Sequence, residues 1–145
     1  MSASLGSASL DGRVAVVTGA GGGLGRAEAI GLAERGATVI VNDLRSSLER
    51  SDVVDVITGA GGRAVPVAGD ITDSATATEI MRTAVEDLGS LDIVVNNAGI
   101  TRDKMLFNLT DEDWDLVIAV HLRGHFLLTR NAAAHWRAVS KQTGA

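Results

Sequence analysis

Short β-branched apolar runs alternate along this chain with longer stretches whose apolar residues recur every three or four positions, the signatures of strands and helices in turn. Val14, Val16 and Val17 form a nearly continuous run of the kind found in a strand buried on both faces, and the run breaks abruptly into Gly19, Gly21, Gly22, Gly23 and Gly25. A helix is predicted from Leu24, with Ala27, Ala29, Ile30, Leu32 and Ala33 as helix formers and Gly36 as its stop. A second strand, 37–41, ends in Asn42-Asp43. One helix with a loose polar start is expected over 44–57, closed by Gly59 to Gly62. The third strand is 63–68, and Pro66, which has no N–H for a ladder bond, points to the edge of a sheet. Thr72 or Asp73 can cap the next helix, whose apolar face is Ile80, Met81, Ala84, Val85 and Leu88, with Gly89 as its end. A fourth strand, 91–95, runs into Asn96-Asn97-Ala98-Gly99.

This alternation implies an α/β fold, a doubly wound parallel sheet of the Rossmann-like kind with right-handed crossovers and strand order 3-2-1-4. In that order the apolar strand at Ile93 to Val95 is an open edge. Past Gly99 the rhythm changes. Residues 100–108 read as a surface excursion, and Thr110 to Asp113 as a capping box that places acids at the positive end of a helix. Trp114, Val117, His121, Gly124, Leu128 and Ala132 fall on one stripe of a long helix reaching about Val139, with Trp114 expected in the core.

The glycine break carries the chemistry. A helix that begins at glycines presents free N–H groups and a positive dipole end to whatever lies above them, and a pyrophosphate fits there. Asp43 lies 18 residues beyond Gly25. That is close to the ~20-residue spacing at which a dinucleotide fold places a carboxylate on the adenosine ribose hydroxyls. A strand-end acid with no ligand is the plain alternative.

Composition narrows the field. The 145 residues suffice for one domain with a real core, and 46% hydrophobic and 21% charged residues describe an ordinary globular protein. A net charge of −5 argues against nucleic acid or an anionic membrane as partner, and no run approaches the ~20 apolar residues of a membrane span. The chain has no cysteine, so no disulfide framework or thiolate metal site is expected, and no metal site of another kind is read from the sequence. Residues 1–10 lack both a cationic start and an apolar core, so they are expected to be a disordered tail and not a signal peptide, which suits a cytoplasmic protein.

Thr18-Gly-Ala-Gly-Gly-Gly-Leu-Gly25, Asn42-Asp43, Asp70-Ile71 and Asn96-Asn-Ala-Gly99, in this order, together resemble the short-chain dehydrogenase/reductase family. Gly99-Ile-Thr-Arg-Asp-Lys-Met-Leu followed by Trp114 is similar to its 3-oxoacyl reductase and hydroxyacyl-dehydrogenase branches. The resemblance implies that residues 11–145 are the NAD-binding half-domain of such an enzyme, acting on a small-molecule alcohol or ketone and forming a homo-oligomer in full length, built partly on the long helix. It implies that Gly19, Ala20, Gly21, Gly22, Gly23, Leu24 and Gly25 wrap the pyrophosphate, with Asp43 and Leu44 at the adenosine ribose. Asp70 and Ile71 would flank the adenine, and Asn97, Ala98 and Gly99 would pass beneath the nicotinamide-side ribose. A carboxylate at 43 accepts from a 2′-hydroxyl and repels a 2′-phosphate, so NAD is expected over NADP. Gly22 stands where NADP-preferring relatives often carry a basic residue. Arg45 is the one feature favouring NADP, and it also reads as a solvated surface charge.

Val120-His121-Leu-Arg-Gly124 matches a family segment in which the position of His121 is usually an asparagine that helps hold a water in a proton relay. His121 could serve there, or it could be a satisfied core histidine. His125 and His135 read by default as surface or packing residues. The family's chemistry also needs a tyrosine acid/base, a lysine four residues later and a serine, yet this chain has no tyrosine, and Lys104 and Lys141 have no such companion. The 145 residues alone are therefore expected to be inactive, the cofactor-binding part of a longer enzyme. A non-catalytic NAD-binding module or assembly partner is the alternative. A methyltransferase that binds S-adenosylmethionine shares the glycine loop and strand-end acid but leaves Asn96 to Gly99 unexplained.

Overall fold

In the computed structural model, which describes residues 8–144, β1 (Val14–Thr18), β2 (Thr38–Asp43), β3 (Arg63–Ala68) and β4 (Ile93–Val95) form one parallel sheet in the order β3-β2-β1-β4. Val14 stands opposite Thr38, Thr38 opposite Arg63, and Ala15 opposite Ile93. Pro66 lies on an edge strand, where its missing N–H costs no ladder bond, and β4 is the opposite edge among the described residues.

The pleat of β1 divides its side chains between two cores. Ala15 and Val17 pack with Ala29 and Ala33 of α1 (Gly23–Glu34) and with Val53 and Ile57 of α3 (Val53–Gly59). Val14 and Val16 pack on the other face with Ile80 of α4 (Ser74–Arg82) and with Leu128 and Ala132 of α6 (His125–Thr143). Every residue of β1 is buried, which is why it reads as a continuous apolar run instead of an alternating one.

The single helix expected after Asp43 is two, α2 (Arg45–Glu49) and α3. The break has local causes. Arg26 of α1 grips the Asp52 carboxylate with two N–H donors at 2.8 and 3.0 Å, and the Ser51 hydroxyl accepts from the Val53 N–H, so the chain turns and restarts there. β4 begins at Ile93, not Leu91. The Asp92 N–H donates to the Val14 carbonyl at 2.8 Å while the Asp92 carboxylate turns back to accept from the Val14 N–H, also at 2.8 Å.

Asp73 caps α4, accepting from the Ala75 N–H at 2.9 Å, and the helix then widens into a π-helical turn, Thr83–Asp87. After a 3-10 turn at Leu106–Asn108, the expected capping box opens α5 (Asp111–Ile118): the Thr110 hydroxyl accepts from the Asp113 N–H, and the Asp113 carboxylate accepts from the Thr110 N–H. The long helix is not regular. A second π-helical turn, Ala119–Gly124, separates α5 from α6. Each π turn carries more than 3.6 residues, so it rotates everything before it relative to everything after it. Gly124, Leu128 and Ala132 stay buried, but Trp114 lies on the other side of that turn and is 62% exposed, not in the core. Residues 1–7 of the expected tail lie outside the described residues. Leu10, its last residue, is anchored, with its N–H donating to the Arg35 carbonyl at 2.7 Å and its side chain against the α1 core.

Asp92 pins the start of β4 to β1. Burial raises its carboxyl, but bonds from the Val14 N–H, the Ser90 hydroxyl and Arg13 outweigh this and hold it below the ordinary value of 3.8. Asp92→Ala strands the Val14 N–H and is expected to cost about 1–3 kcal/mol in urea unfolding at neutral pH. With the folded-state value depressed, the native state binds fewer protons than the unfolded chain. The contribution is present above the ordinary carboxylate range and fades as pH falls through the depressed value. The gap between wild type and variant should therefore narrow below about pH 4.

Candidate functional site

The glycine turn between β1 and α1 sits at the carboxyl end of the sheet, and β1 is flanked there by the tips of β2 and β4. Gly19 has a φ of 64°, a left-handed conformation that favours glycine. The Ala20 N–H donates to the Asn42 carbonyl at 2.9 Å, and the Gly21 N–H donates to the Asp43 carboxylate at 2.9 Å. Asp43 also accepts from the Leu44 N–H at 2.7 Å. Each carboxylate oxygen retains a lone pair, so Asp43 can brace the loop and still accept from a hydroxyl.

Gly22 precedes the first residue of α1, and no side chain caps this helix end. No acid occupies its first turn. A Cβ placed on Gly22 or Gly23 would meet nothing within 4 Å, so the loop is open at both positions. Leu24 is exposed there. Gly19 and Gly25 are needed for a different reason. A Cβ on Gly25 would lie 2.4 Å from the Asn97 side-chain nitrogen and 2.4 Å from the Gly19 carbonyl oxygen, and one on Gly19 would lie 2.9 Å from Ala98 Cα. These two glycines let loop and helix close against the β4 loop.

That loop is tied down residue by residue. The Thr18 hydroxyl accepts from the Asn97 and Ala98 N–H groups at 3.1 and 3.0 Å, and the Asn97 side chain donates to the Thr18 and Gly19 carbonyls at 3.0 and 3.2 Å. The Ala98 carbonyl accepts from His125 Nε2 at 2.8 Å. His121 Nε2 lies 3.0 Å from the Ile100 nitrogen and 2.7 Å from the Ile100 oxygen, and it accepts from the N–H when unprotonated or donates to the carbonyl when protonated. A groove of about 380 Å³ runs between these tips, lined by Gly19, Asp43, Leu44, Asp70, Ile71, Asn97, Ala98 and Gly99 among others. Asp70 is exposed and folds onto its own turn, accepting from the N–H and hydroxyl of Thr72, while Ile71 is buried against Gly124. A larger groove of 640 Å³ lies at the opposite end of the strands, among Asp11, Glu34, Arg35 and Arg63, and contains none of the expected site residues.

The structure therefore brings the glycine loop, Asp43, Leu44, Asp70, Ile71 and Asn97 to Gly99 to one end of the sheet. Arg45 is exposed and faces a separate groove beside β3, with Leu48 and Val65. The reading of His121 as a core histidine is corrected. It is exposed, because the π turn carries it off the buried stripe, and its ring packs over Gly99, where a Cβ would come within 2.7 Å of Cε1. His125, expected to have only a surface or packing role, holds the Ala98 carbonyl. Its spacing of one helical turn from His121 was the available signal.

Comparison with known proteins decides the family. Residues 13–145 match the short chain dehydrogenase family. The chain belongs to it. Among curated proteins, it is 68% identical over 136 residues to hydroxyacyl-CoA dehydrogenase ChsB1 of Mycobacterium tuberculosis, covering 91% of this chain and 43% of that protein. It is 49% identical over 136 residues to peroxisomal multifunctional enzyme type 2 of Mus musculus, covering 88% of this chain and 18% of that protein. A solved short chain dehydrogenase from Mycobacterium avium superposes with a TM-score of 0.86 at 51% identity, over 92% of this chain and 49% of that one. The chain thus spans less than half the length of these short-chain dehydrogenase relatives. No helix among the described residues is long and apolar enough to cross a membrane.

The two kinds of glycine should behave differently. Gly25→Ala forces apart Gly19 and Asn97 and is expected to destabilise by roughly 1–3 kcal/mol. Gly31→Ala in the same helix meets open space and should stabilise by about 0.5–1 kcal/mol. Denaturant midpoints of the two variants against wild type check both signs.

Proposed function

We propose that residues 11–145 are the NAD-binding half of a short-chain oxidoreductase that interconverts a secondary alcohol and a ketone, with 3-hydroxyacyl and 3-oxoacyl thioesters as substrates. The observation that carries this reading is the pairing of an uncapped, open helix N-terminus with the Asp43 carboxylate, which is bonded to the same loop. A dinucleotide needs both, an amide-lined seat for two phosphates and an acceptor for ribose hydroxyls. The open space over Gly22 and Gly23 leaves room for the phosphates. Similarity to a protein named hydroxyacyl-CoA dehydrogenase supports the substrate class.

The bound nicotinamide would supply hydride acceptance or donation. The residues of this chain bind and orient. N–H groups of Gly22, Gly23 and Leu24 face the phosphates, Asp43 takes the adenosine ribose with Leu44 beside it, and Asp70 and Ile71 bound the adenine. Asn97, Ala98 and Gly99 support the second ribose. Because residues 1–145 contain no tyrosine, the acid/base group of the reaction is proposed to lie outside them.

Calorimetric titration tests the cofactor assignment. Wild type should bind NAD more tightly than NADP, whose 2′-phosphate would face the Asp43 carboxylate. Asp43→Ala should lower NAD affinity roughly tenfold and NADP affinity much less, since both the hydroxyl acceptor and the repulsive charge are removed. Equal losses would count against NAD as the cofactor.

A further inference from the structure

We infer that His125 is a positioning residue for the cofactor's second nucleoside half, acting through the Ala98 carbonyl. The inference rests on the dinucleotide reading above and adds a residue which that reading did not include. In the order β3-β2-β1-β4, a dinucleotide whose phosphates sit at the β1 turn and whose first ribose is held by Asp43 at the tip of β2 must lay its other half over the tip of β4. The floor at that tip is the peptide run from Asn97 to Ile100.

Each part of this floor is fixed from one side. Thr18 holds the Asn97 and Ala98 N–H groups from the β1 side. From the helix side, the grip on the Ala98–Gly99 peptide is His125 Nε2, at 2.8 Å from the Ala98 oxygen. A carbonyl can only accept, so Nε2 carries the proton, and the contact is formed by the Nε2–H tautomer or by imidazolium alike. His121, one turn earlier with its ring centroid 6.1 Å from that of His125, holds the next residue, Ile100. Without the His125 donor, the Ala98–Gly99 peptide is free to rotate, and the second ribose loses a fixed floor while the adenosine side keeps Asp43, Asp70 and Ile71.

The test compares two ligands on the full chain by calorimetry: NADH, and ADP, which carries the adenosine and both phosphates but no second ribose. His125→Phe keeps the ring volume and removes the donor. It should weaken NADH roughly five- to tenfold while leaving ADP affinity unchanged. His125→Gln, whose amide can donate from a similar position, should recover most of the NADH affinity. Unchanged NADH binding in His125→Phe overturns the inference. So does an equal loss of NADH and ADP, which would mark the histidine as merely structural, or a failure of His125→Gln to recover affinity. Failure of wild type to bind either ligand is a separate result, and it overturns the dinucleotide reading itself.

Discussion

The hydrogen bonds between the end of β1 and the loop after β4 are the constraint on which the site depends. Thr18 is 1% exposed, and its hydroxyl accepts two N–H donors from the β4 loop while the Asn97 amide donates back to the carbonyls of Thr18 and of Gly19 just after it. Such a reciprocal set works only at short range, and Gly19 and Gly25 make that range possible by having no side chains between the partners. The opening of α1 is therefore fixed by contacts with a strand that enters the sheet some 75 residues later, about the size of a small domain. In the low-dielectric interior these bonds reinforce one another, so loss of one member loosens the rest.

The same device recurs at every gap between neighbouring strands. The Asn42 side chain donates to the Val67 and Gly69 carbonyls and ties β2 to β3, Asp43 accepts from Gly21 and ties β2 to the β1 turn, and Asn97 ties β4 to β1. At the opposite end, Asp92 ties β4 to β1. Ladder bonds alone align strands but leave their tips to fray, whereas an amide or carboxylate at or just past the end of the ladder satisfies backbone groups that would otherwise need water. A groove whose walls are strand tips gains a defined shape from this, and shape is what a ligand of fixed length requires.

Sheet order, strand number and the glycine–acid pairing were legible in the sequence because each rests on local chemistry: periodicity, punctuation by glycine, and a strand-end acid at the right spacing. The role of Gly25 was only half legible. The pattern singled it out, but the atoms it makes room for belong to Asn97, and no local rule shows that approach. The core readings of Trp114 and His121 failed for one shared reason. A helical wheel assumes an unbroken 3.6-residue period, and the π turn at Ala119–Gly124 resets the phase between the first and second parts of the stripe. The break between α2 and α3 depended on Arg26 reaching Asp52, a contact between side chains 26 positions apart.

The stretch of helix around that π turn serves both ends of the groove. Within Ala119–Gly124 and the residue after it, Arg123 donates to the Thr72 carbonyl at 3.1 Å, Gly124 receives the Ile71 side chain, and His121 and His125 hold Ile100 and Ala98. His121, Gly124 and His125 are spaced to share one face of a helix, and Arg123, which points about 160° from His121, reaches the Thr72 carbonyl with its long side chain. These residues contact two neighbouring loops, and the missing side chain of Gly124 lets Ile71 come close enough to be buried, at 8% exposure. The loop bearing Asp70 and Ile71 and the loop bearing Ala98 and Gly99 are thus set by a single stretch of helix. A shift of that stretch would move both walls of the groove together, which makes its phase, more than any one side chain, the quantity that fixes the distance between them.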